Sequence, residues 1–241
     1  MKQFPKSEIF SLFSVIAGLV GFALQSWLYS TVDNRGLLPK NHISAIICLL
    51  LFAAVAVVHY FRLRTAKPEG EYEQLFPKSP VAAVGCFVAA VGIGISVLNP
   101  VATGTLQFPV QICGLLSVAA LGFSGYCRLQ GKRPNFLLYA VIAVFLLFRV
   151  LAFCQKWSAE VQVQNYFFPL LGSLGLLLAT YYRAALGADL KNCRHFLFFR
   201  QLALFCCLVS MAGGDRLFYL AGALWMATDY CVPDAYGKYA H

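Results

Sequence analysis

Arg149 is the first residue in this chain whose position demands a chemical explanation. It stands four to five residues before the end of an apolar run over 135–154. A charge held in hydrocarbon costs about 2.5–3.5 kcal/mol on insertion scales. Two readings follow. The side chain either stretches to the membrane surface, or it forms a buried pair with Glu160 or Asp215 and lines a cavity with Gln155, Lys156 and Gln25. Trp27 and Trp157 stand at the same level. Gln25, Trp27, Arg149, Gln155, Lys156, Trp157 and Asp215 together offer charge, amide donors and aromatic faces, the combination that holds a small polar solute. They are the candidate binding residues.

A second pair is suggested by depth. Arg200 lies about one turn inside the run 196–213, and Asp229 sits at nearly the same distance from the Gly213-Gly214-Asp215 turn. A structural ion pair between them would neutralise both charges, whereas snorkelling would leave each at the surface. His59 precedes Tyr60 and Arg62 at the end of its run and reads as an interfacial residue. His42, His195 and His241 are scattered without metal-ligand spacing, so neither a metal nor a cofactor is expected.

Other motifs lead nowhere. Gly122-Phe123-Ser124-Gly125 is similar to the nucleophile motif of rhomboid-type intramembrane proteases, but a serine with no histidine at matching depth has no route to activation. Lys132-Arg133-Pro134 resembles the start of a lipid-phosphatase signature whose downstream Ser-Gly-His element is absent. Glu69, Glu71 and Glu73 share a polar loop with Lys67 and Lys78 and read as solvated charge. No phosphate-cradling glycine loop occurs, and no enzymatic activity is expected. The nine cysteines make no Cys-x-x-Cys pair and fall mostly in apolar runs, where cysteine acts as a small hydrophobe.

The elements that must carry these residues follow from composition. The chain is 60% hydrophobic and 12% charged over 241 residues, with a mean hydropathy of +0.70. Soluble domains are about half apolar and roughly a quarter charged, so lipid is the expected solvent. A helix needs about 20 apolar residues to cross the hydrocarbon. Runs at 8–30, 43–61, 80–99, 107–127, 135–154, 164–183, 196–213 and 216–231 give an all-α polytopic bundle of eight spans in a single domain. The last two are short and joined by a tight turn, so a tilted or re-entrant hairpin, and counts of seven or six, are the alternatives. Lys2 and Lys6 before the first run resemble a secretory signal, but no small-x-small cleavage site follows, and an uncleaved first helix is expected.

Orientation rests on the lysines and arginines. Fourteen of the 19 fall on the side of the N-terminus and five (Arg35, Lys40, Arg149, Lys156 and Arg216) on the other. The positive-inside rule then puts both termini in the cytosol, with the chain in the cell membrane. The net charge of +9 is spread through short loops in this way rather than gathered on a face, so nucleic acid is not an expected partner.

A repeat is also visible. Phe4-Pro5-Lys6-Ser7 recurs as Phe76-Pro77-Lys78-Ser79, and residues 46–63 match 112–129 without gaps at 8 of 18 positions. Tyr60-Phe61-Arg62, Tyr126-Cys127-Arg128 and Tyr181-Tyr182-Arg183 close three runs in the same way. Gln25-Ser26-Trp27 and Gln155-Lys156-Trp157 close two others. The expected unit is a duplicated helical hairpin over 1–66, 76–131, 132–190 and 191–241. Glycine faces at Gly18/Gly21, Gly92/Gly94 and Gly172/Gly175 would admit close helix approach. Three function classes remain: a small-solute binding or transport module; an accessory, sensor or assembly subunit with a protein partner in the membrane; and, last in order, an intramembrane enzyme.

Overall fold

The computed structural model describes residues 6–31, 42–66, 72–76, 78–98, 106–157, 166–190 and 193–229. These form helices α1 (Lys6–Ser30), α2 (Ile43–Ala66), α3 (Tyr72–Leu75), α4 (Pro80–Leu98), α5 (Gln107–Gln130), α6 (Phe136–Trp157), α7 (Phe167–Gly187), α8 (Cys193–Ser210) and α9 (Arg216–Thr228). The all-α bundle expected from composition is present, and no strand occurs among the described residues.

Seven of these helices are long and apolar enough to cross a membrane. The shortfall from eight is α9. Its 13 residues rise about 20 Å at 1.5 Å each, against a hydrocarbon thickness of roughly 30 Å. α3 is a single turn that sequence periodicity does not reveal.

Local chemistry sets several boundaries. Ser79 caps α4 by accepting the Ala82 N–H at 3.2 Å, and Pro80 takes the first helical position, where its missing N–H costs nothing. Asn135 accepts the Leu137 N–H at 3.0 Å at the start of α6. Gly131 ends α5 at φ 71°, a left-handed conformation that glycine adopts without a Cβ penalty.

Helices α4 to α9 form a ring in which each packs on the next and α9 returns to α4. Small residues permit the approaches. A Cβ on Gly175 would lie 2.9 Å from the Cα of Ala203, bringing α7 onto the backbone of α8. A Cβ on Gly92 would run into the Cβ of Ala221, which joins α4 to α9 and closes the ring. Gly94, by contrast, meets only Val118 at 3.6 Å, an ordinary contact. Ile93, Leu121, Ile142, Phe145, Leu176, Leu204 and Phe218 fill the ring interior.

The α1–α2 hairpin lies outside the ring. α1 seats Gly18 and Gly21 against Leu208 and Val209 of α8. Of the seven long helices, α2 buries the smallest share of its residues and α8 the largest. That ordering explains why α8 tolerates Arg200 and Gln201: protein surrounds it, so those groups meet partners rather than lipid. The residues shared by α2 and α5 in the 46–63 match include Ile46/Ile112, Leu49/Leu115, Leu50/Leu116 and Tyr60/Tyr126, and all eight are exposed. The lipid-facing surface therefore accounts for much of that match.

Candidate functional site

Charged side chains are buried at both ends of the ring. At the end holding the α8–α9 turn, Arg149 of α6 forms an ion pair with Asp215. Arg149 Nη1 donates to Ser96 Oγ at 3.2 Å, and Ser96 Oγ donates to Asp215 Oδ2 at 2.9 Å, so three elements meet in one triangle. The Arg149 guanidinium lies 3.5 Å from the centroid of the Phe218 ring, whose negative face favours a cation. Asp215 takes a left-handed backbone (φ 51°, ψ 44°), which aspartate tolerates better than most residues. Its side chain makes no helix-capping bond at α9 and is directed to Ser96 and Arg149 instead. Arg149 is 3% exposed and Asp215 17%, so the carboxylate is the member of the pair that reaches outward.

The other sequence-expected residues of this end separate into groups. Gln25 is buried and hydrogen-bonds Tyr29, whose hydroxyl lies beside Gly213 in the α8–α9 turn. Trp27 is half exposed and meets the His42 ring edge-on at a centroid distance of 5.0 Å. Gln155 and Lys156 are exposed at the end of α6. Trp157 is its last residue, with a side chain outside the described residues, as is Glu160. Arg149 and Asp215 are thus joined, Gln25 comes near their turn, and Gln155 and Lys156 are exposed. Ser96 was not anticipated; one serine in an apolar run gives no signal of its own.

The opposite end carries the larger cluster. Asp229, immediately after α9, is fully buried and pairs with both Arg128 of α5 and Arg183 of α7. The Arg128 Nη2–Asp229 Oδ1 distance is 3.5 Å. Arg200, the partner expected from depth, donates its Nε to the Met226 carbonyl at 2.7 Å, one turn before Asp229. Rotation about the helix explains the two arginines. Residues two apart on a helix point about 200° from one another. Tyr126 and Tyr181 are 51% and 57% exposed, and their partners in the Tyr-x-Arg endings, Arg128 and Arg183, are 2% and 1% exposed. In α5 and α7 the outward interfacial tyrosine therefore goes with an inward arginine, whereas in α2 Tyr60 is exposed and Arg62 half-buried.

α3 covers this cluster. Tyr72, Leu75 and Phe76 are buried against Leu63, Leu186, Cys193, Phe196 and Leu197. The Phe76 ring lies 4.0 Å from the Arg183 guanidinium and 5.3 Å from that of Arg128, while Tyr139 stands 4.9 Å from Arg183. Arg133 arches over the Tyr72 ring at 5.4 Å and pairs with Asp189 at 2.7 Å. His59, expected at the interface, is buried instead and shares a 2.7 Å hydrogen bond with Ser14 between α1 and α2.

Eight of the nine cysteines are described and carry no disulfide. No group of three metal-ligating side chains occurs among the described residues. Compared with protein-family models, curated proteins and solved structures, the chain matches none.

Proposed function

We propose that this multi-pass membrane protein is a small-solute binding or transport module whose solute site is the mouth built by Arg149, Ser96 and Asp215. The observation that carries the reading is the state of Arg149. It is buried, its Nε has no hydrogen-bond partner among the described residues, and its counter-ion is the more exposed member of the pair. A guanidinium in that state binds an acceptor group that reaches the mouth, in competition with or alongside Asp215. Buried charge at each end of one helix ring also suits a carrier, which needs a closure on either side of its core. The orientation proposed with it keeps the Arg128–Arg183 end and both termini in the cytosol.

The test is a thermal-shift screen of purified protein against a library of small polar solutes. The reading predicts solutes that stabilise the wild type but leave Arg149→Gln unshifted. Identical shift profiles for the two proteins overturn it. The alternative, an accessory, sensor or assembly subunit, is favoured by the outlying α2, whose large apolar side chains Ile46, Leu49, Leu50 and Phe61 face away from the ring. Its mark is a stoichiometric membrane partner that co-purifies while no solute gives a shift.

A further inference from the structure

The Arg149 mouth already holds an anionic group, and the chain itself supplies it. Asp215 pairs with Arg149 and accepts from Ser96 Oγ at 2.9 Å, and it stands in the turn between α8 and α9 rather than within a helix. Its carboxymethyl side chain is chemically an acetate on a tether. Ser96 is buried and directs its one hydroxyl proton to this carboxylate, while its oxygen accepts from Arg149 Nη1 at 3.2 Å. Phe218 backs the guanidinium at 3.5 Å. Guanidinium, hydroxyl and ring thus converge on one position, and that position takes a negatively charged oxygen.

The tether is lightly held. Asp215 keeps a left-handed backbone at φ 51°, a conformation that suits a residue with a Cβ less well than glycine. Gly214 beside it is exposed, and a Cβ there would meet nothing within 4 Å. The carboxylate is 17% exposed against 3% for Arg149, so an arriving solute meets the anion first and contends with it for the cation. Charge narrows the class of solute. Arg149 is the one buried cation at this end among the described residues, so a single negative charge neutralises it, and a second would be left uncompensated. We propose that the solute carries a carboxylate that replaces the Asp215 carboxylate on Arg149 and Ser96 and thereby releases the α8–α9 turn. Asp215 is then a built-in competitor that occupies the site until solute displaces it. This rests on the solute reading of the Arg149 mouth and names the group by which the solute is held.

The experiment uses the full chain in detergent as wild type, Asp215→Gly and Asp215→Asn. Sodium acetate, propionate and lactate are each titrated against sodium chloride of equal ionic strength and against the corresponding amide, with thermal stability as the readout. Glycine accepts the left-handed turn and removes the tethered carboxylate. Asparagine keeps a side chain that tolerates this backbone, and serves if the glycine variant does not fold. The expected result is a saturable stabilisation of the wild type by at least one carboxylate and by none of the amides. In the Asp215 variant the same carboxylate should act at a concentration about tenfold lower or more, because a tethered competitor works at an effective concentration of about millimolar. Adding Arg149→Gln should abolish the response in both backgrounds. Equal midpoints in wild type and variant, a response that survives Arg149→Gln, or no response to any of the three carboxylates overturns the proposal. If uncharged solutes alone stabilise the wild type and need Arg149 to do so, the carboxylate class falls while the solute site stands. Shifts across the solute library that ignore Arg149→Gln remove the site itself.

Discussion

At the residue scale, the energetics of this protein concentrate in a few side chains that lipid cannot solvate. Asp229 holds two buried guanidiniums, so its removal leaves positive charge without its counter-ion. Breaking a buried pair from one side typically costs about 3–5 kcal/mol. Asp229→Ala should lower stability by that order in detergent unfolding, and a loss no larger than that of an exposed control such as Gln130→Ala would contradict the network. Asp215→Asn keeps a side chain that accepts left-handed backbone but removes the charge from Arg149. Its cost should be smaller, about 1–3 kcal/mol, because Asp215 is partly exposed and Ser96 still accepts from Arg149. Sequence reasoning placed Arg149 within reach of Glu160 or Asp215, with a surface-reaching side chain as the other reading, and the ion pair present among the described residues is with Asp215. Matching depths along two runs offered Arg200 for Asp229, because depth carries no azimuth. Three arginines lie at that level, and the Tyr-x-Arg endings hold the missing rotation.

At the element scale, apolar length alone made the seven long helices legible, since each must close its backbone hydrogen bonds within the bilayer. α3 escaped because one turn has no period, and the buried rings of Tyr72 and of Phe76 just after it lie in a segment whose glutamates read as solvated loop. The ring also escaped: glycine pairs announce close approach but not which helix approaches. Gly175 meets the backbone of Ala203, and Gly122 meets nothing within 4 Å. Gly175→Leu should therefore cost about 1–3 kcal/mol or more through forced separation of α7 and α8, while Gly122→Leu should be near neutral. Equal unfolding temperatures for the two variants would contradict the packing.

At the scale of the whole molecule, seven long apolar helices, an outward lipid-compatible surface and, among the described residues, buried arginine and aspartate side chains at the ends of one ring describe a protein built for a bilayer. The lysine and arginine asymmetry makes a prediction at this scale. With cysteine introduced at the exposed positions Gln155 and Gln130, a membrane-impermeant maleimide should label Gln155→Cys in intact cells and Gln130→Cys only after permeabilisation, beyond the labelling of the native cysteines. The reverse pattern would invert the proposed orientation. The most direct measurement of all is alkaline carbonate extraction of membranes from expressing cells, followed by high-speed centrifugation. The chain should stay in the pellet and leave it only with detergent. Recovery in the supernatant as a monodisperse, detergent-free species would contradict the bilayer, and with it the reason for the buried ion pairs of Arg149 and Asp229.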